Sequence, residues 1–183
     1  MILSDKSLTR MMGEAYKGAG YQMLLDEEQL ILTDAMWAVK CEKSKIPAEV
    51  LAMIVKHLGR IPEGEICYRV NKKGVQTIMA PMMRETIEAY ENEMPIDGDA
   101  IKATPLSWKS ATIWQREKDL SLLRMDPGLT SIVTGFAVLG AVCSKDGCRI
   151  GFHGECSEVF LLGMVEHEDD SKCMEYLGGM QWI

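Results

Sequence analysis

The stretch Ser44–Met79 constrains the fold more than any other part of this sequence, because its hydrophobic period changes within it. Over Pro47–Leu58 apolar residues recur every three or four positions, which predicts a helix that buries one side. Over Glu65–Val70 and Val75–Ala80 apolar and polar residues alternate, which predicts two strands joined by the turn Asn71–Gly74. The first predicted unit is therefore a helix that leads into an antiparallel hairpin.

Similar elements recur along the chain. Helical spacing predicts helices at Ser4–Ala19, at Pro81–Met94 and, with Asp126 as its N-cap, at Asp126–Leu139. Alternation or short apolar runs predict further strands at Tyr21–Asp26, Gln29–Thr33, Met36–Glu42, Cys148–Gly154, Val159–Val165 and Lys172–Trp182. These elements predict the α+β class, with a mostly antiparallel sheet and two to four amphipathic helices packed on one face.

The stretch between residues 95 and 125 is the least regular part of the sequence. It holds Pro95, Gly98 and Pro105, which are typical of turns and connections, although Thr112–Trp114 favours a strand. Gln115–Leu123 fits either a helix or a strand pair. We therefore expect two units, 1–94 and 126–183, joined by an irregular connection with possible strands over 95–125. One continuous domain is the alternative.

Composition indicates a protein of the cytoplasm. No apolar run reaches the roughly 18 residues that a membrane span needs, and the first residues lack the apolar core of a signal peptide. Six cysteines spread along the chain favour a reduced state. The net charge is −7, but residues 1–84 hold 12 Lys and Arg against 10 Asp and Glu, whereas the rest hold 8 against 17. We therefore expect no membrane contact, and basic surfaces in the first half of the chain.

No catalytic motif occurs in the sequence, which favours a non-enzymatic protein without a cofactor. The local cluster Cys143, Cys148, His153 and Cys156 suggests two alternatives, a zinc site and a cysteine-dependent site in which His153 serves as base for Cys156. Strand alternation places Cys148 and His153 on opposite faces, which disfavours shared ligation. His57, at the boundary of the apolar side of its helix, is interpreted as a structural residue.

The first helix has a basic outer side. Lys6, Arg10 and Lys17 are separated by steps of four and seven residues, which return to nearly the same angle around a helix. Lys56 lies on the outer side of the second helix, and Arg60 follows near its end.

The order of these elements resembles the repeating helix-plus-strands unit of the DNA sliding clamps. A basic helix leads into strands, the helix Pro47–Leu58 leads into a hairpin, and the pattern returns after Asp126 and ends in the strand that closes at Trp182. In that family, helices turn Lys and Arg toward duplex phosphates inside a ring. The resemblance implies that Lys6, Arg10, Lys17, Lys56 and Arg60 contact duplex DNA, and that the chain self-associates. A protein-interaction or accessory module that binds no nucleic acid is the alternative.

Overall fold

One antiparallel sheet of eleven strands organises the part of the chain that the computed structural model describes, which is residues 2–25, 28–62, 64, 66–134, 141–163, 177 and 180–183. In chain order its strands are β1 (Tyr21–Leu25), β2 (Gln29–Thr33), β3 (Trp37–Glu42), β4 (Cys67–Asn71), β5 (Gly74–Ile78), β6 (Ala100–Trp108), β7 (Ala111–Arg116), β8 (Leu122–Met125), β9 (Ala141–Cys143), β10 (Arg149–His153) and β11 (Ser157–Leu162). The α-helices of the described residues are α1 (Asp5–Lys17), α2 (Ala48–Leu58), α3 (Ala80–Glu93) and α4 (Pro127–Thr130). The predicted α+β class with an antiparallel sheet is confirmed.

Two similar halves make up the sheet, whose strand order is β5-β4-β1-β2-β3-β11-β10-β9-β6-β7-β8. In the first half, the meander β1-β2-β3 is followed by α2, and β4 returns to pair with β1. In the second half, the meander β6-β7-β8 is followed by α4, and β9 returns to pair with β6. The halves meet where β3 pairs with β11, with Val39 opposite Val159. The repeated unit is thus a meander, a helix and a returning strand.

The two faces of the sheet bury different helices. One face, here called the α1–α2 face, holds the larger core, which includes Met12 of α1, Ile54 of α2 and Leu129 of α4. The opposite face, here called the α3 face, holds a second core that includes Met83 and Ile87 of α3. Three helices therefore share one face as predicted, and α3 lies on the other. Within the described residues, no helix is both long enough and apolar enough to cross a membrane.

Local sequence signals set the ends of α1 and α2. Ser4 is the N-cap of α1, and its hydroxyl accepts a hydrogen bond from the backbone N–H of Ser7 at 3.4 Å. Lys17 stands in the last turn of α1, where a cation complements the helix dipole. Gly59 ends α2 in the left-handed conformation, with φ of 83°. The first half of the chain thus follows its local signals closely, with helix bounds within two residues of the predicted ones.

The region between residues 95 and 125, where an irregular connection with possible strands is predicted, holds three strands. Pro105 lies inside β6, at a shift of register between Ala103 and Ser107. A proline lacks the N–H that a strand needs, and a bulge is one place where a sheet tolerates it. The sheet therefore runs on through this segment, while the division into units 1–94 and 126–183 stays a prediction.

The helix predicted at Asp126–Leu139 is shorter in the structure. Asp126 is its N-cap, as predicted, but α4 ends at Thr130, and Val133 already forms a bridge with Leu3. The β-branched residues of this stretch favour extended backbone, so the helix gives way to pairing with the N-terminus. Residues 135–140 lie outside the described part, as does most of the predicted strand Lys172–Trp182.

Candidate nucleic-acid interface

The helices α1 and α2 lie side by side on the α1–α2 face, and a stacked ring pair joins their C-terminal ends. The rings of Tyr16 and His57 are 3.9 Å apart between centroids and 4° from parallel. On the side that faces the sheet, Met12 and Ile54 are fully buried. The opposite sides of both helices are left to solvent. These exposed sides, together with Arg60, which lies just after the end of α2, form one surface, here called the helix-pair surface.

Three lysines of the helix-pair surface point into solvent without an internal partner. Lys6 and Lys17 of α1 and Lys56 of α2 are all exposed. Within the described part of the chain, none of them forms a salt bridge or side-chain hydrogen bond. Their ammonium groups therefore remain available to an anionic partner.

The two arginines of this surface are exposed but engaged. Arg10 forms a salt bridge with Glu14 at 3.1 Å and donates hydrogen bonds to the Gly128 carbonyl and to the Ser131 hydroxyl, both at 3.3 Å. It thereby ties α1 to α4. Arg60 donates to the Tyr68 hydroxyl at 3.2 Å, and its guanidinium lies 5.6 Å from the centroid of the same ring.

The acidic residues of α1, α2 and α3 are distributed unevenly between the two faces of the sheet. On α1 and α2, three carboxylates accompany the basic residues, namely Asp5, Glu14 and Glu49. The acidic helix α3, with its exposed Glu85 and Glu88, lies on the opposite face of the sheet. A net charge of −7 is therefore compatible with a helix-pair surface that is locally basic.

His57 takes part in a contact that the sequence does not reveal. Its Nδ1 lies 3.0 Å from the hydroxyl of Tyr21, a residue of β1 that is fully buried. Burial raises the pKa of Tyr21, and burial together with the charge of Lys56 lowers the pKa of His57. The signal in the sequence, a histidine in the last turn of a helix, does not identify partners that lie 36 and 41 positions away.

The geometry around His153 argues against the zinc site that the sequence suggests. Its Nδ1 lies 2.8 Å from a carboxylate oxygen of Glu158, and its Nε2 lies 2.8 Å from the backbone carbonyl of Met94. Both partners are acceptors, so neither ring nitrogen has a lone pair left for a metal. Among the described residues, no three His, Cys, Asp or Glu side chains are grouped in a way that could hold a metal ion.

The same geometry argues against a cysteine-dependent site. His153 cannot serve as base for Cys156, because both of its ring nitrogens are already donors. Cys143 is buried, and burial raises the pKa of its thiol, although a hydrogen bond from Arg116 at 3.3 Å acts in the opposite direction. A thiol with a raised pKa is a poor nucleophile at neutral pH.

Bacterial sliding clamps are among the solved structures that resemble this chain. The β chain of DNA polymerase III from Streptococcus pneumoniae has a TM-score of 0.36 and 9% sequence identity, over 94% of this chain and 67% of that one. The β subunit of the DNA polymerase of Streptococcus pyogenes has a TM-score of 0.36 and 9% identity, over 93% and 66%. The H. pylori beta clamp has a TM-score of 0.35 and 10% identity, over 93% and 64%.

The chain spans about two thirds of the length of these proteins. No protein-family model and no curated protein matches the sequence. The resemblance predicted from the order of elements is thus found again among solved structures.

Proposed function

We propose that this chain is a non-enzymatic, DNA-associated protein of sliding-clamp-like architecture that contacts duplex phosphates through the helix-pair surface. The observation that supports this most is the trio of exposed lysines, Lys6, Lys17 and Lys56, on two helices that pack side by side. A protein that holds DNA without reading its sequence needs cations that reach phosphate oxygens and little else.

The lysines are the principal contacts in this proposal, and the arginines are secondary. An unpaired lysine gives up no internal bond when it approaches a phosphate. Arg10 would first have to loosen its contacts with Glu14 and Ser131. Arg60, in contrast, is an exposed residue that could keep its contact with the Tyr68 ring while it approaches a phosphate. We therefore expect the lysines to determine most of the salt dependence.

The experiment measures the affinity of the protein for a short duplex by fluorescence anisotropy over a range of salt concentrations. Each phosphate contact releases counterions, so log K falls with log[salt] at a slope of about −0.9 per contact. The double variant Lys17→Gln, Lys56→Gln removes two such contacts. We expect it to bind more weakly at low salt and to have a slope shallower by about 2.

A control of equal charge is available elsewhere in the chain. Lys145→Glu changes the net charge by the same two units as the double variant, at an exposed turn between β9 and β10. We expect its affinity and slope to remain close to those of the unaltered protein. Equal losses in both proteins, or a slope unchanged in the double variant, would reject specific contact by the helix-pair surface. Absence of binding by the unaltered protein would favour the interaction module instead.

Self-association remains part of the proposal. Among the described strands, β5 and β8 are the ends of the sheet, and most of β5 is exposed. An unpaired edge strand can add a strand from another chain. A second copy at these edges would extend the helix-pair surface around a duplex.

A further inference from the structure

His57 occupies a position on the helix-pair surface that the exposed lysines do not explain. It lies directly after Lys56 in α2, and its ring is stacked on Tyr16, the residue before Lys17 in α1. The stack therefore sets the imidazole at the point where the two lysine-bearing helices approach each other. Its Nε2 has no hydrogen-bond partner within the described part of the chain and is not a buried atom.

The hydrogen bond to Tyr21 determines which ring nitrogen holds the proton. Tyr21 is fully buried, and in the described residues its hydroxyl has His57 Nδ1 as its partner at 3.0 Å. If Nδ1–H donated to the phenol oxygen, the phenol hydrogen would be left in the core without an acceptor, which costs free energy. The hydroxyl therefore donates to Nδ1. In a neutral imidazole the proton then lies on Nε2, so an N–H group is left unpartnered at the surface.

We propose that His57, as the neutral Nε2–H tautomer, donates a hydrogen bond to a phosphate oxygen of duplex DNA between the contacts made by Lys17 and Lys56. This inference rests on the proposed function and adds a contact of a different kind. A lysine contact exchanges a counterion for an ammonium group. A neutral donor forms one hydrogen bond of defined direction to the phosphate oxygen and releases no counterion.

The surroundings of His57 keep it neutral. The rings of Tyr16 and Tyr21 contact His57, and Lys56 is the charged side chain that acts on it. The acidic residues of α1 and α2 are Asp5, Glu14 and Glu49. Glu14, an exposed carboxylate of α1, pairs with Arg10 one turn earlier in the helix. Protonation of Nδ1 would also break the hydrogen bond from Tyr21. The lowered pKa of His57, caused by burial and then by Lys56, agrees with this arrangement.

The tautomer can be tested without DNA. Nitrogen-15 NMR of the histidine side chains distinguishes a protonated ring nitrogen from an unprotonated one, and His57→Phe assigns the resonances. We expect an unprotonated Nδ1 and a protonated Nε2 at neutral pH. A protonated Nδ1, whether in the other tautomer or in the imidazolium, would refute the assignment.

The phosphate contact is tested with the same duplex in the anisotropy assay. His57→Phe keeps a ring against Tyr16 but removes the donor. We expect about a fivefold loss of affinity, typical of one hydrogen bond, with the salt slope unchanged. His57→Gln, which restores an N–H donor, should recover part of the loss.

In Tyr21→Phe, where Nδ1 is free to be protonated, affinity for the duplex should rise as pH falls from neutral to 5.5, and the salt slope should steepen by about 1.

These outcomes separate the two proposals. If Lys17→Gln, Lys56→Gln weakens binding but His57→Phe binds as tightly as the unaltered protein, the function stands and the role of His57 is refuted. A shallower salt slope in His57→Phe would also refute it, because that result means a charged contact. If the unaltered protein does not bind the duplex, both proposals fall together.

Discussion

At the scale of single residues, His153 is the described residue whose hydrogen-bond partners constrain its protonation most. Both of its partners, the Glu158 carboxylate and the Met94 carbonyl, accept hydrogen bonds, so both ring nitrogens must donate. Both nitrogens donate only in the imidazolium, so these two acceptors favour the protonated ring, in a side chain that is 7% exposed. The hydrogen bond with Glu158 raises the pKa of His153, and the same bond is the main reason that the pKa of Glu158 is lowered to about 2.

The protonation of His153 predicts how stability depends on pH. Its folded-state pKa lies above the ordinary 6.5, so its stabilisation is fully present below that pH and is lost as pH rises through the folded-state pKa. His153→Gln should cost about 2 kcal/mol near pH 6 and remove this alkaline loss. Urea unfolding at a series of pH values measures both effects.

A second histidine provides the control for that measurement. The pKa of His57 is lowered, so its contribution has the opposite sign and weakens as pH falls. His57→Gln should therefore leave the alkaline loss in place. If His153→Gln still loses stability between pH 6 and 9 as the unaltered protein does, His153 is not the group that titrates.

At the scale of elements, three contacts hold the C-terminal end of α3 against the sheet. Lys40 of β3 forms an ion pair with Glu91, Arg149 of β10 pairs with Glu93 at 3.0 Å, and His153 donates to the carbonyl of Met94. The hydrophobic stripe of α3 predicts that the helix is amphipathic, but it does not specify which face of a sheet the helix covers. These pairs, and the hydrophobic core around Met83 and Ile87, join α3 to distant segments that no local pattern reveals.

Features that depend on residues close together in the sequence were predicted well, whereas features that depend on distant residues were not. β2 was predicted at its observed bounds, and α2 within one residue, because caps, glycines and periodicity act locally. Between residues 95 and 125, the strand tendency of Thr112–Trp114 agrees with β7, whereas β6 is not predicted, because Pro105 signals a break that a bulge in β6 accommodates. At the candidate site, the exposure of the lysines follows from helical periodicity. The engagement of Arg10 by Ser131 depends on α4, 121 positions away.

We expect the substitution of glycine by alanine to have opposite effects at Gly13, within α1, and at Gly20, after it. Gly13 lies within the helix, and an added Cβ would meet no atom within 4 Å. Gly13→Ala should therefore stabilise the protein by about 1 kcal/mol, through helix propensity. Gly20 precedes β1 with φ of 93°, and a Cβ there would come within 2.5 Å of the Val70 carbonyl oxygen.

Gly20→Ala should accordingly destabilise the protein by more than 1 kcal/mol, because the backbone would have to leave its left-handed conformation or separate β1 from β4. Thermal unfolding of both variants measures the difference. A similar melting temperature for the two proteins would show that the strand β1 tolerates a shift at its start, contrary to this expectation.

At the scale of the whole molecule, the continuous sheet joins two halves that share one core. The larger core includes Ile54 of α2 and Trp114 of β7, and the β3–β11 pairing has five residue pairs between the halves. A repeat of two similar units can unfold as two units or as one. Backbone hydrogen bonds and packed side chains that cross the junction on both strands favour one cooperative transition.

This cooperativity can be measured by native-state hydrogen exchange. Ile54 is fully buried, and Ile54→Ala should cost about 3 kcal/mol. If the halves unfold together, the free energy of opening measured at the slowest amides of β7, far from the substitution, falls by the same amount as at those of β1. Ile113→Ala, at an equally buried position of β7, should in turn reduce the protection of β1. Protection that falls in the substituted half alone would mean that the β3–β11 junction opens independently, and that the two halves of the helix-bearing face can separate without unfolding.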